Sequence, residues 1–256
     1  MTTLLAASLA TLVFCAPGYP GGAGDAQPLL DQFALAAAAV SGWPMGSLGA
    51  VYDPTEEGGI AKLASRDSVL AFVPYPFYVE HAAQLHLTPL VQADAADTGP
   101  QQRWTLVAKS GRITGPASMT GYTLLSTAGY APDFVRRSAL QGWALPADVK
   151  IEFTGQVLSA LRRAAAGEPV AVLLDQTQAA ALPSLPFAAE LKSVIQSADL
   201  PVALIAVVDS RVSAPRAKAL QQGLLKMGHT PGGTDTLAPL RLRGFVLPNL
   251  PPRMVP

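Results

Sequence analysis

The sequence predicts an α/β protein built as two lobes, each a mainly parallel sheet flanked by helices. Three observations lead there. Short apolar runs alternate with apolar-periodic helical stretches, which is how a parallel sheet is written in sequence. Glycine- and proline-rich turns separate them, with 22 glycines and 23 prolines in 256 residues. The strand–turn–helix order of the first third then returns in the second: residues 51–73 and 151–174 each read as strand, helix, polar break and strand. That period is too long and too loose for a solenoid.

Composition narrows the functional classes. Half of the residues are hydrophobic and 14% are charged, so the chain can bury a core and is not of the disordered class. Eighteen basic residues balance eighteen acidic ones without a basic run, which disfavours nucleic acid as a partner. The single cysteine, Cys15, excludes an internal disulfide framework and a multi-cysteine zinc site.

The elements follow in order. Thr11–Cys15 reads as a buried first strand, with Cys15 an inert core thiol, ahead of the turn Pro17–Gly24. The residues before it read as a cropped or degenerate export signal. Ala7-Ser8-Leu9-Ala10 resembles a cleavage site, but no Lys or Arg precedes it. A helix is expected from Asp25 to Val40, with Leu29, Leu30, Phe33 and Ala37 on its inner face. Leu48–Tyr52 is the next strand, followed by the turn Asp53-Pro54-Thr55 and a helix ending near Ser65. Ser68–Val73 is a strand, and a helix then runs through His86.

The second lobe repeats the scheme. Its strands are Tyr122–Ser126, Val149–Phe153 and Val170–Leu174; its helices are Pro132–Gln141 and Val157–Ala166. Two more strand-like stretches, Trp104–Lys109 and Val202–Val208, read as crossings between lobes. The lobes are therefore assigned to residues 1–103 with 203–256, and 104–202, hinged near Gly99–Arg103 and Asp199–Pro201. Pro215–Met227 is an amphipathic helix with Leu220, Leu224 and Leu225 inward and Gly228 as its stop. The proline-rich tail 247–256 is an extended strap.

Four segments resemble the type II periplasmic solute-binding proteins, in particular the phosphonate- and phosphate-binding branch of ABC importers. They are the opening strand with Pro17-Gly18-Tyr19-Pro20 and Asp25–Leu30; Val73–Val79, similar to a Gly-Pro-x-x-Tyr-Val segment; Thr105–Lys109 with Gly121–Leu124; and Ser126-Thr127-Ala128-Gly129-Tyr130, similar to an oxyanion-holding Ser-Thr-Ser-Gly-Tyr turn. Their order and spacing cover about Thr11 to Val246. The resemblance implies a ligand cleft between the lobes and an extracytoplasmic, monomeric solute-binding component that hands a small molecule to a membrane permease. It implies no enzyme activity, cofactor or metal.

Ligands of parallel α/β sheets sit beyond the carboxyl ends of strands. The expected ligand residues are accordingly Ser126, Thr127, Gly129 and Tyr130, with Tyr19, Tyr52, Tyr75, Tyr78, Gln156 and Asp175. Two departures matter. Ala128 removes one hydroxyl from the oxyanion turn, and Gln156 stands where the resemblance leads one to expect a histidine. No Lys or Arg falls in the strand-end turns, and tyrosines give them an amphipathic character. The expected ligand is thus phosphonate- or phosphate-like, or another small organic molecule. A carrier of a lipid or sterol-like ligand, or a ligand sensor, on the same fold is the alternative. Ser126 and Thr127 have plain helix capping as their structural alternative, as does Asp175. Phe77 reads as core. His81 and His86, five apart on one helix, point away from each other and form no metal pair. Glu56 and Glu57 read as solvated neighbours and His229 as solvated. No nucleophile elbow, P-loop or dinucleotide-binding fingerprint is present, which speaks against an enzyme.

Overall fold

The computed structural model describes residues 9–18 and 23–251. They form β1 (Ala10–Cys15), α1 (Ala23–Val40), β2 (Leu48–Asp53), α2 (Glu56–Ala64), β3 (Ser68–Pro74), α3 (Tyr75–His81) and β4 (Leu87–Ala95). Next come β5 (Gln101–Gln102), β6 (Thr105–Lys109), β7 (Thr123–Ser126), α4 (Pro132–Phe134), β8 (Lys150–Phe153), α5 (Val157–Ala166), β9 (Val170–Leu174) and α6 (Gln176–Ala181). The chain ends in β10 (Leu191–Gln196), β11 (Leu200–Pro201), β12 (Ala203–Val208), α7 (Ala214–Met227), α8 (Pro231–Leu237) and β13 (Leu242–Val246). The described residues form two compact units, one from 9–18, 23–74, 81–100 and 202–249, the other from 75–80, 101–201 and 250–251.

The first unit holds a six-stranded sheet in the order β13-β4-β12-β3-β1-β2. β1 pairs in parallel with β2 and with β3, while β12 lies antiparallel between β3 and β4. Its core gathers on four phenylalanines: Phe33 of α1 meets Phe14 edge-on at 5.5 Å, and both Phe72 and Phe245 at 6.0 Å. Leu30, Phe33 and Ala37 of the α1 inner face are buried with Leu220 and Leu224 of α7, whereas Leu225 is only partly covered. Gly223 is required where the two helices meet, because a Cβ there would lie 2.5 Å from the Val40 carbonyl oxygen.

The second unit holds a five-stranded sheet in the order β10-β6-β9-β7-β8. β7 pairs in parallel with both β8 and β9, and β6 runs antiparallel to β9. Leu161, Ala164 and Ala165 of α5 pack on Val172, Leu174 and Leu125. Gly167 ends α5 at φ 94°, a left-handed conformation that glycine adopts without a Cβ penalty.

Several expectations are corrected. Both sheets are mixed, because β12 and β6 insert antiparallel to their neighbours. The stretches Trp104–Lys109 and Val202–Val208, read as crossings, are inner sheet strands, one in each unit; the chain passes between units at 74/75, 80/81, 100/101, 201/202 and 249/250. The helix expected to reach His86 stops at His81, and His86 sits at φ 49° before β4. β4, β10, β13 and α8 were not expected. Residues 252–256 of the tail lie outside the described residues.

Candidate functional site

In the first unit the carboxyl ends of β1 and β2 are closed by the chain's own polar groups. Asp53 ends β2, is buried, and pairs with Lys62 of α2. It also accepts from the Thr55 backbone N–H at 2.9 Å and the Thr55 hydroxyl at 2.7 Å. Burial pushes this carboxyl up, but the hydrogen bonds from Lys62 and Thr55 outweigh it, and the group titrates below the usual range. Its oxygens occupy the space a side chain on Gly58 would need. Thr55 caps α2 by accepting from the Gly58 N–H.

Beside this network, His81 is buried, with Nε2 2.8 Å from Glu56 Oε1. Glu56 is therefore paired, not solvated, and the pair joins α2 to the end of α3. Cys15 donates its thiol to the Thr55 carbonyl at 3.4 Å. Burial, then the charges of Asp53 and Glu56, push its pKa up to about 12, so it is an inert thiol at neutral pH. Tyr52, half-buried, is also held above its ordinary value, first by burial. Tyr19 lies outside the described residues.

The second unit is different. The turn after β7 is shaped by Ser126, whose buried hydroxyl donates to the Leu173 carbonyl at 2.8 Å and accepts from the Ala128 N–H at 3.1 Å. Ser126 is thus spent on the fold. Gly129 is buried against β8: a Cβ there would lie 2.6 Å from the Phe153 nitrogen and closer still to the Glu152 carbonyl. Its smallness fixes the turn to the neighbouring strand. Thr127 is half-buried, and its hydroxyl has no hydrogen-bond partner among the described residues. Neither Ser126 nor Thr127 caps a helix, because α4 starts at Pro132 after Ala131.

Gln156 is exposed at the start of α5 and makes no side-chain cap; its N–H donates to the Thr154 hydroxyl at 3.0 Å. Asp175 follows β9 and does cap α6, accepting from the Gln178 N–H at 2.7 Å while the Gln178 side-chain oxygen accepts from the Asp175 N–H at 3.1 Å. Burial holds this carboxyl above its ordinary value against those hydrogen bonds. No cation is paired with it among the described residues.

Tyr75 and Tyr78, successive turns of α3, stack with ring centroids 6.3 Å apart, and both are buried. Tyr75 also meets Phe134 of α4 edge-on at 6.0 Å, and Phe134 meets Trp104 at 5.2 Å. Burial, then the nearby Tyr78, pushes the Tyr75 phenol up to about 12. Glu80 fastens α3 to α4 by accepting from the Asp133 N–H at 2.9 Å. Phe77 is fully buried, as its sequence reading as core anticipated. The structure therefore collects Ser126, Thr127, Gly129, Tyr130, Gln156 and Asp175 at the carboxyl ends of β7, β8 and β9, with Tyr75 and Tyr78 in the same unit, while Tyr52 belongs to the other.

Sequence reasoning missed three participants. Lys62 pairs with Asp53 and His81 with Glu56, and no sequence spacing announces either contact. Phe153 was read simply as a strand end, yet it is 49% exposed. Among the described residues, no group of three His, Cys, Asp or Glu side chains is placed to hold a metal ion, and no helix is long and apolar enough to cross a membrane.

Solved structures share this arrangement over most of the chain. XAC2383 from Xanthomonas citri, in a structure bound to chloride ion, matches with a TM-score of 0.66 at 17% identity over 94% of this chain and 92% of that one. The binding protein component of an ABC phosphonate transporter from Pseudomonas aeruginosa matches with a TM-score of 0.58 at 16% identity, covering 93% and 81%. PhnD1 from Prochlorococcus marinus, in complex with methylphosphonate, matches with a TM-score of 0.58 at 12% identity, covering 94% and 93%. The fold is that of the type II periplasmic binding proteins. No protein-family model and no curated protein matches the chain in sequence. Among the described residues, the Thr127 hydroxyl at the strand ends of the second unit has no hydrogen-bond partner.

Proposed function

We propose that the chain is the extracytoplasmic solute-binding component of an ABC-type importer. It holds a small phosphonate- or phosphate-like, or other small organic, ligand and passes it to a membrane permease, and it performs no chemistry on it. The observation that carries this reading is the Thr127 hydroxyl: half-buried, without a partner among the described residues, in a turn that Gly129 clamps to β8. Gln156 and Asp175 supply a neutral donor and an acceptor at the two adjacent strand ends, and Tyr130 closes the same turn. Ser126 shapes the site without facing the ligand, since its hydroxyl is spent internally. The shared fold of solute-binding proteins supports the class of activity.

The test is a thermal-shift panel of phosphate, methylphosphonate, sulfonates, amino acids, sterols and fatty acids. A ligand that binds only the folded state raises the melting temperature. One oxyanion or small polar ligand is expected to do so. Thr127→Ala is expected to weaken its binding about tenfold or more, as for a lost hydrogen bond to a charged group. Lipid retained in native mass spectra, with no response to polar ligands, overturns this reading in favour of an apolar-ligand carrier.

A further inference from the structure

The large apolar side chains left exposed among the described residues are Leu9, Leu35, Met45, Phe153, Leu158 and Leu247. Four belong to the first unit and are scattered along it. Only Phe153 and Leu158 belong to the second unit, and they bracket the turn 154–156 that carries Gln156. Phe153 is 49% exposed as the last residue of β8, and Leu158 is 43% exposed in the first turn of α5. Exposed apolar residues scattered singly need no explanation, whereas a pair flanking one turn does.

The backbone under Phe153 is fixed. Phe153 pairs with Ser126 in the parallel ladder, the Thr154 N–H donates to the Ser126 carbonyl at 2.9 Å, and the Gly129 backbone abuts the Glu152–Phe153 peptide. The ring is therefore mounted on a strand end that is welded to the Thr127 turn, not on a loose loop, and a rigid mount is what a selective contact needs. The charge pattern points the same way. The turns 126–130, 154–156 and 175–177 contain no Lys, Arg or His. These turns, which also carry the Asp175 carboxyl, offer a head group neutral donors and no counter-cation, and apolar contact is the usual partner of a few convergent polar groups.

We infer that Phe153 is a specificity-determining residue that seats an aryl or alkyl arm of the ligand beside the polar head held at Thr127. The inference rests on the site proposed above and names its ligand class: a small organic oxyanion bearing an apolar arm, in preference to the inorganic or methyl-substituted ion.

Matched probes test it, namely methylphosphonate against phenylphosphonate and methanesulfonate against benzenesulfonate. Each is titrated calorimetrically into the full chain, its Thr127→Ala variant, and its Phe153→Ser and Phe153→Leu variants, all checked for folding by circular dichroism. In at least one pair the aryl probe is expected to bind about tenfold tighter than the methyl probe, the scale of removing a ring's apolar surface from water. Phe153→Ser is expected to erase that difference by weakening the aryl probe more than the methyl probe, and Phe153→Leu to retain part of it. Equal affinity for both members of each pair, or a difference that survives Phe153→Ser, overturns the inference and leaves the head-group site standing. A difference lost in Phe153→Ser, with the affinities of both probes themselves untouched by Thr127→Ala, upholds the arm and overturns the head-group assignment. Silence from all four probes overturns both.

Discussion

The two units finish their parallel strands in opposite ways. At the ends of β1 and β2 three polar groups have partners inside the fold: Asp53 with Lys62, Glu56 with His81, and the Cys15 thiol with the Thr55 carbonyl. At the ends of β7, β8 and β9 there is no ion pair; Thr127 is left with an unspent hydroxyl and Asp175 with no cation, among the described residues. The same topological position thus serves stability in one unit and is left chemically open in the other. Polar groups satisfied internally rigidify a site, and groups left open are available to a ligand.

The change that most sharply breaks the second unit's side of this comparison is Gly129→Ala. The new Cβ would collide with the backbone of β8, which cannot withdraw without breaking its ladder to β7. A loss of about 3 kcal/mol is expected, within the range for overpacking against fixed neighbours. Urea unfolding of the variant measures it. A loss below about 1 kcal/mol would mean that the turn is free to move off β8, and the rigid mounting of Thr127 and Phe153 would go with it.

Asp53→Ala addresses the first unit. It removes the acceptor for the Thr55 N–H and hydroxyl and leaves Lys62 without its partner. Lys62 is 40% exposed and can turn to water, so the loss of the two Thr55 hydrogen bonds to a buried carboxylate dominates and a cost of about 2 kcal/mol is expected. The pH dependence identifies the cause. The folded-state pKa of Asp53 is depressed, so its contribution is present above the unfolded value of about 3.9 and is lost as pH falls through the lower folded value. The wild type should therefore lose stability on acidification faster than Asp53→Ala. Parallel acid profiles would show that the pair contributes nothing.

Much of this contrast could be read from the sequence, and the missing part has a physical cause. β1, β2, β3, β7, β8 and β9 were legible because short apolar runs stopped at Gly/Pro turns, and α5 because its apolar face and Gly167 marked both its burial and its end. β4 was hidden by Pro89 and by polar Thr88 and Gln92, residues it carries as a strand pairing antiparallel with β12 and β13. β10 and β13 have burial too irregular for a period-two signal. Within the site, residue types were legible and commitments were not. Nothing in Ser126-Thr127 says that the first hydroxyl is spent on Leu173 and the second is not, because that depends on a strand 47 residues away. Nor does Glu56 announce His81, 25 residues on.

The smallest effect separates the units at alkaline pH. Cys15 in the first unit and Tyr75 in the second are both pushed up to about 12, in each case first by burial, from ordinary values of 9.0 and 10.0. An acid whose folded pKa is raised keeps its proton while the unfolded chain releases it, so stability is fully present below the unfolded value and declines as pH rises towards the folded one. The thiol's window opens about one pH unit before the phenol's. Between pH 9 and 10 the decline should belong chiefly to Cys15, at up to about 1.4 kcal/mol per pH unit when the unfolded thiol is fully ionised and less near pH 9. Cys15→Ala should flatten that segment of the profile while lowering stability uniformly at neutral pH, because it also removes a buried sulfur. Tyr75→Phe should leave it unchanged and act only above pH 10. Stability measured by urea unfolding at pH 8, 9, 10 and 11 resolves the two windows. If Cys15→Ala retains the wild-type slope between pH 9 and 10, the thiol is not sealed in, and the strand ends of the first unit are as open as those of the second.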